Sequence, residues 1–347
     1  MKKIAFTGGG SAGHVLPNLA LMEDLDLSKT DVCYLGTNGI EKGLVCAQKI
    51  PFHEISCPKL IRGGGCKGFF KNLKIPFQLH DAIKQAEKGL RAFQPDLLFS
   101  KGGYVSLPVV LAAHKLKIPC FAHESDYSLG LANKLAAKKC VQVFTSFPET
   151  AEQIPNGKYT GALLRNSLFS KTRAQARAAW DIPPNATVLL IFGGGSGSEK
   201  LNDAVRKNLK ILTEKYLILH VCGKGKQVDC NFKNYRQFEF VADMATAYAC
   251  ADLIISRAGA GAVFETLAHK KRALFIPLEG ASRGDQKQNA AYFQSQGLCR
   301  VLPQSRLEEL CIEIEKTLSD RKLTENLQNY SPIRGNQNVL RELSAYL

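Results

Sequence analysis

Histidine changes charge near neutral pH, and His14 of this 347-residue chain lies within a glycine-rich run, FTGGGSAGHVLP, at residues 6–17. Gly8, Gly9, Gly10 and Gly13 admit positive φ and the close approach of a ligand. A helix starting just beyond them offers unpaired amides and a positive dipole end. Such a turn suits an anionic or polar substrate facing a base. It also suits a plain strand-to-helix connection, because its spacing is neither GxGxxG nor a P-loop with its Lys-Ser/Thr.

Other residues with chemical potential follow at regular places. SKGGYVSLP at 100–108 repeats the glycine turn, with Gly102 and Gly103 freeing amides and Tyr104 offering a hydroxyl that contacts a substrate or simply packs. HESD at 123–126 puts four polar side chains at a strand's carboxyl end, where open α/β sheets bind ligands, although Ser125 or Asp126 also suits a cap or turn. Asn133 lies on the next helix. Arg165 is placed to reach a phosphate or to pair across domains. In RAGAGAVFETLAHK, Arg257, Gly259 and Gly261 form a turn, and Glu265 sits where it could accept both ribose hydroxyls or merely offset the helix dipole. Gln286 and Asn289 fall one helical turn apart, where they suit reading sugar hydroxyls or simply facing water. Asp24 and Asp26 form a DxD pair that reads as solvated surface rather than metal site.

These residues need a frame, and apolar runs supply it. Strands are expected at 3–7, 31–35, 52–55, 95–100 and 120–122, then at 188–192, 217–221, 238–241, 253–256 and 273–277. Helical periodicity at 15–25, 40–48, 130–139 and 201–212 alternates with them, which predicts parallel sheets. Turn residues near 155–164 predict a hinge. The expected architecture is α/β, two similar Rossmann-like halves facing one cleft.

With 46 Lys and Arg against 31 Asp and Glu, the net charge of +15 favours an acidic partner: nucleic acid, an anionic membrane surface or a phosphorylated substrate. The 11 cysteines form no CxxC pair, so reduced thiols are expected. The opening MKK lacks the apolar run of a signal peptide, and no stretch is long enough to span a bilayer. Residues 59–80 contain no acid and interleave Lys59, Arg62, Lys67, Lys71 and Lys74 with Phe69, Phe70, Leu73, Ile75 and Phe77. Either this segment rests on anionic headgroups, or its aromatics are core with lysines snorkelling outward.

Taken together, GGSAGHVLP, SKGGYVSLP, HESD with GLANK, RAGAGAVFE and GDQKQNA closely resemble, in order and nearly end to end, the MurG family of bacterial N-acetylglucosaminyltransferases within glycosyltransferase family 28. The resemblance implies a GT-B fold, with an acceptor and membrane-facing domain at 1–160 joined by a returning helix at 336–347, and a UDP-sugar domain at 161–335. It implies inverting transfer of N-acetylglucosamine from UDP-N-acetylglucosamine to the 4-hydroxyl of the muramoyl unit of lipid I, giving lipid II for peptidoglycan, by a peripheral enzyme on the cytoplasmic face of the inner membrane. The residue chemistry beside it points to His14 as the base that takes the acceptor hydroxyl's proton. The donor would meet Ser11, Ala12, Gly13, Asp126, Arg165, Gly195, Ser196, Val241, Ala260, Gly261, Ala262, Val263, Phe264, Glu265 and Gln286. The acceptor would meet Gly102, Gly103, Tyr104, Glu124 and Asn133. No metal or organic cofactor is implied, and no nucleic-acid partner.

The wording departs from the family at several points. Ala12 stands for glycine, Ser125-Asp126 for Gln-Asn and Gly284-Asp285 for Asp-His, while Gly195 replaces a serine and GALLR at 161–165 replaces GNPVR. A hydroxyl toward the donor phosphate is then lost or comes from Ser196. Another GT-B transferase with a different sugar or acceptor is the main alternative. A dinucleotide oxidoreductase lacks its acid after the second strand, where Gly36 and Thr37 follow Leu35, and a nucleic-acid binder lacks any motif.

Overall fold

The computed structural model describes residues 1–59, 72–280 and 284–347. The chain divides into two compact units, one of Met1–Arg165 with Ile333–Leu347, the other of Asn166–Pro332.

In the first unit the described strands are β1 (Lys2–Thr7), β2 (Thr30–Gly36), β3 (Phe52–Glu54), β4 (Leu97–Ser100), β5 (Cys120–Glu124), β6 (Gln142–Thr145) and β7 (Gly157–Tyr159). They form one parallel sheet in the order β3-β2-β1-β4-β5-β6-β7, so strand order reverses between β1 and β4. That switch point is where crossover helices diverge to opposite faces and leave a crevice at the carboxyl ends. Helices on both faces make the central strands apolar throughout: Ile4, Ala5, Phe6, Leu97, Leu98 and Phe99 are all fully buried. The expected hinge at 155–164 begins with the edge strand β7, because Val143 to Thr145 on β6 present free ladder groups to Gly157 to Tyr159.

The chain's last helix, Asn336–Ser344, is anchored on this unit by one buried side chain. Asn336 Nδ2 donates to Ala20 O at 2.9 Å and Leu164 O at 3.1 Å, and its Oδ1 accepts from Leu164 N at 3.0 Å. Val339 and Leu343 complete the apolar seam with Leu19 and Leu163.

The second unit carries β8 (Val188–Phe192), β9 (Leu217–Val221), β10 (Tyr235–Phe238), β11 (Leu253–Ser256), β12 (Arg272–Phe275) and β13 (Arg300–Val301), parallel and ordered β10-β9-β8-β11-β12-β13. Its switch point lies between β8 and β11. Two local expectations change. The helix predicted over 201–212 is two, Glu199–Lys207 and Leu209–Lys215, because the Asn208 amide folds back onto Ala204 O at 2.8 Å. The strand predicted at 238–241 lies at Tyr235–Phe238, because β9 ends at Val221 and offers no partner for later residues.

Candidate functional site

The first unit gathers one set of predicted residues at the carboxyl ends of β1, β4 and β5. After β1 the chain turns through Ser11 into a short 3-10 helix, Ala12–His14, and Ser11 Oγ lies 3.0 Å from His14 Nδ1. That contact orients the partly exposed imidazole. The turn after β4 packs against it. Gly103 has φ +80°, and a Cβ there would stand 2.3 Å from Gly9 O and 3.0 Å from His14 Nδ1, so only glycine lets the two turns meet.

Glu124 and Asn133, at 5% and 3% exposure, hold the HESD turn. Glu124 Oε1 accepts from Ser125 N at 2.9 Å and Asp126 N at 3.1 Å, while Oε2 accepts from Gly130 N at 2.9 Å and Asn133 Nδ2 at 3.0 Å. The carboxylate thus shapes the loop that carries Asp126. Asn133 Nδ2 also donates to His123 O at 3.2 Å, and Asn133 faces Gly102, where a Cβ would come within 2.9 Å. Tyr104 is half-buried, with Lys59 Nζ 5.9 Å from its ring centre.

Two residues here carried no usable sequence signal. Glu41 is fully buried, accepting from Gly10 N at 3.2 Å and Thr37 N at 3.1 Å and from the Thr37 hydroxyl, so a helix-start acid pins the glycine turn. In sequence it reads only as dipole compensation. Lys101 is 1% exposed and donates from Nζ to His123 O at 3.2 Å; burial pushes its pKa down, while Glu124 and Asp126 push it up. Lys101 thus lies beside both glycine turns, next to Gly102 in the chain and with its Cβ 3.1 Å from where a Cβ on Gly8 would stand.

The second unit brings together the other set at the carboxyl ends of β8, β10, β11 and β12. Gly195 and Ser196 are exposed in the turn after β8. Val241 follows β10 and is buried. Helix Ala260–Ala268 starts after β11 without a side-chain cap, because its N-cap residue Gly259 has no side chain, and the Gly259 carbonyl first accepts from Val263 N at 3.1 Å. A Cβ added at Gly195, Gly259 or Gly261 would meet nothing within 4 Å. Ala260, Val263 and Phe264 are buried and Ala262 is partly so, fixing the helix start against the sheet. Glu265 Oε2 accepts from Tyr248 OH at 2.8 Å.

Arg257 and Asn289 have structural duties. Arg257 Nη2 donates to Ser198 Oγ at 2.7 Å and Gln304 Oε1 at 2.5 Å, and Nη1 to Ile276 O at 3.1 Å, tying the turn after β8 to the end of β12. Asn289 is fully buried and donates to Ala258 O at 3.2 Å. Gln286, one turn earlier, is partly exposed and accepts from Leu278 N at 2.9 Å through Oε1. Arg165 ends the first unit's main stretch. Among the described residues no group of three or more His, Cys, Asp or Glu could hold a metal ion. Asp26 instead closes its own turn on Ser28 and Lys29, which hold its pKa down at about 2.

Part of the basic aromatic segment, residues 60–71 with Arg62, Lys67, Phe69, Phe70 and Lys71, lies outside the described residues. Beyond it Leu73 and Phe77 are 54% and 77% exposed, at the start of helix Ile75–Phe93. No helix among the described residues is long and apolar enough to cross a membrane.

Sequence profiles match in both halves: the glycosyltransferase family 28 N-terminal domain over residues 4–145 and the family 28 C-terminal domain over residues 188–338. The chain is 43% identical over 319 residues to a UDP-N-acetylglucosamine--N-acetylmuramyl-(pentapeptide) pyrophosphoryl-undecaprenol N-acetylglucosamine transferase of Clostridium botulinum, covering 89% of this chain and 88% of the relative. A Bacillus thuringiensis protein of the same description is 42% identical over 311 residues, 87% of each chain. Among solved structures, Acinetobacter baumannii MurG superposes with a TM-score of 0.75 at 27% identity, over 99% of this chain and 100% of that one. The kitacinnamycin glycotransferase gives 0.76 at 14% identity over 99% of each chain, a likeness of fold alone.

Proposed function

The chain belongs to glycosyltransferase family 28, and from that premise we propose that it transfers N-acetylglucosamine from UDP-N-acetylglucosamine to the 4-hydroxyl of the muramoyl unit of lipid I, making lipid II. The observation that carries this is the 43% identity, across 89% of the chain, to a relative described by that donor and that acceptor.

The chemistry divides between the two units. The first unit takes the acceptor: Gly102, Gly103 and Tyr104 offer amides and a hydroxyl, with Glu124 and Asn133 shaping the floor over buried Lys101. His14 accepts the proton of the acceptor hydroxyl as its oxygen attacks C1 of the sugar, and the bond from C1 to the diphosphate breaks with inversion. The electron pair leaves on the β-phosphate of UDP. The amides of 260–262 at the helix start and the turn carrying Gly195 and Ser196 meet that charge, with no metal invoked in the step. Glu265 accepts from the ribose, Val241 presents backbone to the uracil and Gln286 reads the sugar. Ser11, Ala12, Gly13, Asp126 and Arg165 complete the donor's surroundings. The exposed Leu73 and Phe77 beside Lys74 support peripheral contact with an anionic, cytoplasmic membrane face.

The test is UDP release from UDP-N-acetylglucosamine in EDTA, with and without a soluble lipid I analogue. Acceptor-dependent release, lost in His14→Ala with donor affinity kept, is the expected result. No release with this acceptor, or equal release with another nucleotide sugar, would instead favour a different transferase on the same fold, and release independent of the acceptor would show hydrolysis rather than transfer.

A further inference from the structure

Helix Met244–Cys250 plays no part in the chemistry above, yet it carries a buried phenol aimed at the donor half-site. Tyr248 is 1% exposed and donates its hydroxyl to Glu265 Oε2 at 2.8 Å. Its ring has little freedom. One face stacks on His269 with centroids 4.9 Å apart and planes 11° apart, and Phe192 meets it edge-on at 6.1 Å. His269 stacks in turn on Phe169 at 4.6 Å. The imidazole stays neutral, because burial pushes its pKa down to about 4. His269 also follows Glu265 by one turn at the end of the same helix, so the stack and the carboxylate share one rigid element.

A partly exposed glutamate on a helix surface ordinarily samples several rotamers. Here a rigid donor bonds one oxygen of the carboxylate and so fixes the angle of its plane. Two vicinal hydroxyls need that definition: both bonds form only if the carboxylate plane is already set. We infer that Tyr248 is a positioning residue that sets Glu265 to accept from the ribose, so that the hydroxyl of Tyr248 contributes to choosing ribonucleoside over 2′-deoxyribonucleoside diphosphates. The inference rests on the proposed role of Glu265.

Competitive inhibition by UDP and by 2′-deoxy-UDP reads this directly, in wild type, Tyr248→Phe and Glu265→Gln. In Tyr248→Phe the preference for UDP should fall ~3–10-fold, with KM for UDP-N-acetylglucosamine raised by a similar factor and kcat within about twofold, the pattern of lost ground-state and transition-state binding alike. A merely structural tyrosine would weaken both inhibitors equally and leave their ratio alone. If Glu265→Gln collapses the ratio and Tyr248→Phe keeps it, positioning by Tyr248 is wrong and the ribose contact stands. If Glu265→Gln also keeps the ratio, the role of Glu265 itself fails, and the inference with it. Should the Phe variant fold poorly, site-specific 3-fluorotyrosine at 248 keeps the ring stack while making the hydroxyl a stronger donor. A raised UDP preference would then support the inference and an unmoved one would overturn it.

Discussion

Replacing Gly261 with alanine distinguishes a glycine kept for a ligand from one kept for the protein's own backbone. Gly261 is the second residue of helix Ala260–Ala268, and a Cβ there meets no protein atom within 4 Å. Glycine costs a helix interior ~0.5–1 kcal/mol relative to alanine, and somewhat less near an end. The free protein should therefore gain stability, by about 0.5 kcal/mol, which raises the midpoint of a unit of this size by ~1–2 °C. If the diphosphate of UDP sits on these amides, the new methyl occupies its place. Losing one charge-assisted hydrogen bond costs ~1.5–3 kcal/mol, or ~10–100-fold in Kd. Thermal unfolding of the free variant and calorimetric titration with UDP measure the two effects separately. A raised midpoint with unchanged UDP affinity would place the phosphates elsewhere, and a lowered midpoint would refute the open space itself.

Gly103→Ala should behave oppositely: its Cβ would lie 2.3 Å from Gly9 O at φ +80°, so the turn bearing His14 must move. Misplacing a catalytic group by ~1 Å costs on the order of 10²-fold in rate, so kcat should fall steeply while UDP affinity holds; a near-normal kcat would show that the turns need not touch. His123, His220 and His269 are held neutral by burial, with His220 and His269 pushed down to about 4. The unfolded chain takes up protons at these sites below ~6.5, so stability is full above that pH and falls as pH drops toward 4, by up to ~1.4 kcal/mol per pH unit for each histidine. Denaturant midpoints at pH 7.5 and 5 check this, and equal midpoints would contradict it. Phe77→Ser, at a side chain 77% exposed, should change stability by less than ~0.5 kcal/mol yet weaken binding to anionic vesicles. Unaltered vesicle binding would remove Phe77 from the membrane-facing surface.

What sequence alone determined was the alternation of apolar runs and glycine turns, since burial on both faces demands continuous apolar strands and a close-packed turn demands glycine. Hence β8, β9 and β11 fall at the residues expected, as do the turns leading to His14 and bearing Gly103, whereas Gly261, expected in a turn, is already the second residue of a helix, because the helix starts directly after Gly259. The apolar pattern could not distinguish side chains that face a ligand from those that hold the site together. Arg257, Glu124 and Asn289 share motifs with ligand-facing candidates, yet Arg257 spends its charge on the turn after β8, Glu124 on its own loop, and Asn289 is core. Glu41 and Lys101 carry no sequence signal, and both are buried beside the glycine turns. Their partners lie 31 and 22 residues away in sequence, at Gly10 and His123. Whether a polar residue binds a ligand or the protein itself depends on which neighbour the fold brings within about 3 Å. A parallel sheet sets that distance through crossovers that no local spacing records, which is why tertiary structure alone decided it.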